Sequence, residues 1–99
     1  MTEAEALRAI KEAFFKGRYF LDPHAHRRMK TRGISFLDIK HAAMNATKTE
    51  PYSDVERPLA SGASAWRVHG TDFDGEALVL GVDLNLDHLG AFALVLTVF

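Results

Sequence analysis

The sequence predicts an α+β domain, with about three N-terminal helices packed on one face of a three- to four-stranded antiparallel sheet. Three observations carry that expectation. Residues 3–45 hold apolar side chains at helical spacing between recognisable caps; from Thr49 that period gives way to turn residues; and residues 77–86 alternate as a half-buried strand does. Ninety-nine residues, 47% of them apolar, suit a single compact domain spanning 1–99, whose core needs neither a disulfide nor a metal.

The first helix is expected over residues 3–16, with Leu7, Ile10 and Phe14 on one face, Ala4 a turn earlier, and Gly17 as its stop. Arg18 to Leu21 reads as a short strand or an extended connector. Asp22 then suits an N-cap, Pro23 the first helical position, and Gly33 the end of a second helix of about three turns. A third helix starts with Ser35 and Asp38 in a capping box and Ile34 set to staple against Ile39, and it is expected to run to about Asn45.

From Thr49 a long loop is expected through Pro51, Ser53, Asp54, Pro58, Ser61 and Gly62, part of which could pair as an irregular edge strand. Ala65 to His69 alternates, with Trp66 and Val68 on one face and Arg67 and His69 on the other. Asp72, Asp74 and Gly75 mark a hairpin turn, Ala77 to Leu86 the longest strand, and Asp87, His88 and Gly90 a second turn into Ala91 to Phe99. In the longest strand Leu78, Leu80, Val82, Leu84 and Leu86 form one apolar row for the core. The opposite row holds Gly81, Asp83 and Asn85, so Arg67 and His69 are expected beside them on a partly exposed outer face.

Composition excludes several function classes. With no cysteine there is no disulfide, thiolate zinc site or thiol nucleophile, and a reducing cytoplasm is the simplest compartment. No apolar run approaches the roughly 18 residues of a membrane span, and the N-terminus lacks signal-peptide character, so a cytoplasmic protein without membrane association is expected. The sequence carries no phosphate-binding glycine loop, serine nucleophile elbow or paired-carboxylate motif, and no cofactor is expected. His24-x-His26 with His41, His69 or Asp83 is poor metal-ligand spacing on a helix, so no metal is expected.

The net charge of −1 conceals an asymmetry: residues 1–49 hold ten Lys and Arg against five acids, and residues 50–99 hold two against eight. That could be complementarity between the helical and sheet layers, or a basic layer facing a polyanion. The cationic residues concentrate in Asp22 to Ser35, which contains no acid after Asp22 and in which His24, Arg28 and Arg32 recur every four residues along one helix face. One reading is a solvated stripe behind a narrow apolar edge of Ala25 and Met29. The other is a functional face, with guanidinium groups binding phosphates and His24, near the positive end of the helix dipole, kept neutral and basic beside backbone N–H groups that attract anions.

Residues 24–35, His-Ala-His-Arg-Arg-Met-Lys-Thr-Arg-Gly-Ile-Ser, resemble the His-Ala-x-x-Arg-Met-x-x-Arg-Gly-Ile-Ser signature of the bacterial domain-of-unknown-function family 4258. Asp38-Ile39, Trp66-Arg67-Val68-x-Gly70 and the closing Leu96-Thr97-Val98-Phe99 extend the resemblance over about residues 15–99. Helices followed by a small antiparallel sheet also resemble the MqsR and RelE toxins of the barnase-like superfamily, which cleave messenger RNA and pair with antitoxins. The resemblance implies a RelE-like fold and a metal-independent endoribonuclease, with RNA, free or on the ribosome, as substrate and an antitoxin as partner. It carries over His24, Arg28, Arg32 and Arg67. His69 joins them because alternation places its imidazole beside Arg67, and Tyr52 because an aromatic residue in a polar loop can stack a base.

His24 and His69 are thus the candidate base and acid, in either order, with Arg67 as the catalytic cation and Arg28, Arg32 and Tyr52 as substrate contacts. One departure is that MqsR-like toxins end on a strand carrying a lysine, whereas Val95 to Phe99 holds no basic residue. The competing class is a non-catalytic interaction module, in which Arg28 and Arg32 would be tied to carboxylates of the acidic half. A homodimer through the exposed sheet face or the apolar edge of Ala91 to Phe99 is a further expectation.

Overall fold

Residues 1–53 and 64–99 are described by the computed structural model. The expected turn residues Asp54, Pro58, Ser61 and Gly62 lie outside them. Three helices, α1 (Glu3–Phe15), α2 (Pro23–Arg32) and α3 (Phe36–Asn45), accompany five strands, β1 (Tyr19–Leu21), β2 (Lys48–Pro51), β3 (Ser64–Thr71), β4 (Ala77–Asp87) and β5 (Gly90–Val98). The class is α+β as predicted, but the sheet is larger than expected and mixed, in the order β1-β5-β4-β3-β2. The extra strands are the short ones. β1 pairs parallel to β5 from Tyr19 opposite Ala93 to Leu21 opposite Val95, and β2 pairs antiparallel to β3. Strands of three and four residues are too short for alternation to declare a partner, and it is the open edges of β5 and β3 that recruit them.

Local chemistry sets the helix limits. Thr2 and Glu5 form a capping box on α1, Asp22 caps α2, and Ser35 and Asp38 close the box on α3. Gly33 ends α2 at φ 67°, a left-handed conformation in which a Cβ would be strained. Ala25 and Met29 are the buried edge of α2, as expected, whereas α1 buries Ala6 and Ala13 beside Ile10 and Phe14 and leaves Ala4 exposed.

The core lies between the helices and the inner sheet face, where Trp66, Val68, Leu78, Leu80, Val82 and Leu84 are all buried. Leu86, expected to extend this row, is instead 70% exposed, because the row outruns its cover beside the β4–β5 turn. α3 is fastened to the sheet at both ends. Asp38 Oδ1 accepts from the Phe73 N–H at 3.2 Å, and Asn45 exchanges two 2.9 Å hydrogen bonds with the Thr71 backbone. Between them α3 lies so close to β3 that a Cβ on Gly70 would sit 2.0 Å from the Ala42 carbonyl oxygen.

The outer face is partly exposed, as expected: Arg67 and His69 on it are half-buried, while Ala65, Gly81, Asp83 and Thr97 are buried. One expectation about surfaces changes, since β5 is not a free edge for dimerisation. β1 covers Ala93 to Val95, the Asp22 N–H bonds to the Val95 carbonyl at 2.9 Å, and the Arg28 Nε bonds to the Val98 carbonyl at 3.3 Å. No helix among the described residues is long and apolar enough to cross a membrane.

Candidate functional site

Strand register assembles the outer-face cluster. Glu50 pairs with Arg67, Arg67 with Gly81, and Gly81 with Thr97, making one row across four strands. A shift between Gly81 and Val82 leaves Leu96 as the additional residue of β5, which keeps Thr97 in this row while Val95 stays on the core side. Gly81 contributes no side chain to the row, and the rings of Tyr52 and Phe99 occupy the space above it. A Cβ there would lie 2.9 Å from Thr97 Cγ2, 3.1 Å from Tyr52 Cε2 and 3.3 Å from Phe99 Cε2.

The two rings meet edge to face, with centroids 5.3 Å apart at 80°. The Arg67 guanidinium carbon lies 5.3 Å from the Tyr52 centroid and 4.9 Å from that of Phe99. Each such contact is worth about 0.5–1 kcal/mol at a partly exposed site, enough to hold a long side chain in one orientation. Arg67 is therefore oriented before any ligand arrives.

Next to this row, Glu50 lies between Lys48 on β2 and His69 on β3. Its Oε1 lies 3.1 Å from His69 Nε2, and its Oε2 lies 3.6 Å from Lys48 Nζ. The hydrogen bond to His69 holds the Glu50 carboxyl below the usual glutamate value; burial opposes it, and the positive charges of Lys48 and Arg67 add smaller lowering effects. Both side chains of the pair are one-third exposed, at 33%. They are open to a ligand without being fully solvated.

On α2, His24, His26, Arg27, Arg28, Lys30 and Arg32 are all exposed. Among the described residues, no carboxylate lies within ion-pair distance of its Arg and Lys side chains. The anion site expected at the start of α2 is already in use, because the His24 N–H donates to Asp22 Oδ2 at 3.0 Å. Arg28 reaches the Val98 carbonyl, and the next residue, Phe99, carries the ring beneath Arg67. One chain of contacts thus runs from α2 through the end of β5 to Arg67 and Tyr52.

The structure brings together Arg67 and Tyr52, with His69 on the same face of β3, whereas Arg28 bonds the backbone of Val98, one residue before Phe99. His24 and Arg32 lie one helical turn before and after Arg28, with no side-chain contact to the cluster. Gly81 shares this face as the alternation of β4 predicts, but two members escape a sequence reading: Glu50 and Phe99. Alternation through 48, 50 and 52 was the available signal for Glu50, but it was obscured by Pro51 and the turn residues that follow. The other histidines belong elsewhere: His26 meets Phe36 edge to face, His41 stacks on Phe73 at 4.3 Å, and His88 is exposed in its turn. Among the described residues, no three His, Asp or Glu side chains converge as metal ligands.

A separate groove of about 330 Å³ lies at the other end of β5, lined by Gly17, Arg18, Phe20, Asp87, Leu89 and Phe92. Its Arg18 and Asp87 are paired at 2.6 Å, so its charged groups neutralise one another. No family model matches this chain, and no curated protein or solved structure matches it.

Proposed function

We propose that this chain is an RNA-directed domain of the RelE- and MqsR-like toxin type, acting as a metal-independent endoribonuclease in the cytoplasm and held in check by an antitoxin. The observation that carries the reading is the continuity of α2, a cationic surface without carboxylate partners among the described residues, with the Arg67–Tyr52–Phe99 cluster and the His69–Glu50 pair. Exposed guanidinium groups suit phosphates, and an edge-to-face aromatic pair suits an unstacked base.

In this reading one imidazole, His24 or His69, takes the proton of a ribose 2′-OH. The 2′ oxygen bonds to the adjacent phosphorus, the bond from phosphorus to the 5′ oxygen breaks, and the other imidazole protonates that oxygen, leaving a 2′,3′-cyclic phosphate and a 5′-hydroxyl. Arg67 and Arg28 stabilise the charge that develops on the phosphoryl oxygens, and Arg32 extends the phosphate track along α2. The resemblance of residues 24–35 to family 4258 supports the same reading.

A non-catalytic interaction module would tie Arg28 and Arg32 to the acidic half. Arg28 instead bonds a backbone carbonyl, and neither residue has a carboxylate partner among the described residues, which favours the RNA reading. The test is cleavage of a labelled RNA without divalent metal by the wild-type chain, His24→Ala and Arg28→Ala, each first checked for folding. Cleavage by the wild type that falls in both variants is the expected result. A folded wild type inert on both naked RNA and ribosomes overturns the reading.

A further inference from the structure

Resting on the nuclease reading above, we infer that Glu50 is a positioning residue that holds the Nε2–H tautomer of His69, so that Nδ1 is the nitrogen that takes the proton from the substrate. The argument starts from what each atom can donate. An ionised carboxylate only accepts hydrogen bonds, and a neutral imidazole has one donor and one acceptor nitrogen. With Glu50 Oε1 at 3.1 Å from Nε2, that nitrogen must carry the hydrogen, and the lone pair is left on Nδ1.

Strand register makes this geometry rather than chance. Lys48 pairs with His69 and Glu50 with Arg67, so Glu50 sits diagonally from His69 on the same face, within reach of a side chain of its length. Lys48 engages the other carboxylate oxygen at 3.6 Å, which limits rotation of the carboxylate away from the imidazole. The directly paired Arg67 adds a positive charge that keeps Glu50 ionised.

The same contact selects between the two roles left open for the histidines. When an imidazole takes a proton it becomes a cation, and a carboxylate on its far nitrogen stabilises that cation, as the buried acid does in hydrolase triads. Among the described residues no carboxylate lies on the His24 ring. The contact therefore assigns the role of base to His69.

The test has one readout that needs no activity. In ¹H–¹⁵N spectra at neutral pH, the wild-type chain should give an exchange-protected imidazole N–H signal from Nε2 of His69, assigned by its loss in His69→Gln and absent in Glu50→Ala. In cleavage assays, Glu50→Gln, which keeps shape and removes charge, and Glu50→Ala should each lower kcat by about tenfold to a hundredfold, the range seen when an orienting partner is lost. KM should stay within about twofold, since the contact acts on the chemical step and not on binding. A folded wild type without the N–H signal overturns the proposal, as does unchanged kcat in both folded variants. If the wild type cleaves no RNA the nuclease reading fails, and with it the role of base, while the N–H signal still decides which tautomer Glu50 holds.

Discussion

Gly81→Ala probes the link between the sheet and the candidate site more directly than substitution of any charged residue, because it adds one methyl group beneath Arg67 and removes nothing. At 2.9 Å from Thr97 Cγ2 the new carbon is closer than real Cβ contacts come, and it crowds the Tyr52 and Phe99 rings at 3.1 and 3.3 Å. Carbon pairs prefer about 3.5–4.0 Å, so the threonine methyl must yield by about 0.6 Å and the rings by a few tenths. All three atoms are ends of side chains, which places the cost within the overpacking range of about 1–3 kcal/mol.

Loss of glycine entropy from the unfolded chain returns about 0.4–1 kcal/mol, leaving a net loss of about 1–2 kcal/mol. For a domain of this size that lowers Tm by about 5–15 °C. The rings that tilt are the ones that orient Arg67, so binding of a fluorescein-labelled single-stranded RNA, followed by anisotropy below the melting range, should weaken about fivefold, equivalent to about 1 kcal/mol. A variant with wild-type Tm and wild-type RNA affinity would refute the claim that Tyr52 and Phe99 rest on Gly81 and orient Arg67.

Gly70→Ala should be far more damaging to stability and show no selectivity for the site, because its Cβ would meet backbone at 2.0 Å and α3 would have to move off β3; a melt within a few degrees of wild type would contradict that packing. Asn45→Ala leaves the Thr71 N–H and carbonyl without their partners and should cost about 1–3 kcal/mol in a urea titration, with no effect expected if solvent replaces both bonds. Arg28→Ala should reduce the slope of log affinity for single-stranded RNA against log salt by about 0.7, the amount for one phosphate contact; an unchanged slope would confine Arg28 to bonding the Val98 carbonyl. Asp38 is held below its ordinary value of 3.8 by hydrogen bonds from the Ser35 and Phe73 backbone, so its contribution to stability is present above that value and is lost as pH falls through the lower folded one. Tm measured from pH 6 down to pH 2 should fall less steeply for Asp38→Asn than for the wild type, and parallel curves would refute the assignment.

What the sequence by itself determined is local. The three helices were legible because Asp22, Gly33 and the Ser35–Asp38 box act within a turn of where they stand, and because Leu7, Ile10 and Phe14 in α1 and Ala25 and Met29 in α2 recur at the period of a helical stripe; the capping box of Thr2 and Glu5 was not read. The inward row of β4 was legible for the same reason, and so was the sharing of one face by Arg67 and His69. Tertiary structure decided which strands pair. β1 and β2 are too short to carry a pairing signal, and only the unsatisfied edges of β5 and β3 give them a place. That pairing sets Glu50 against His69, and the shift in β5 lays Phe99 over the bare backbone of Gly81. His69, 19 positions from Glu50, and Phe99, 18 positions from Gly81, thereby became their neighbours through hydrogen-bond registers that no local pattern encodes.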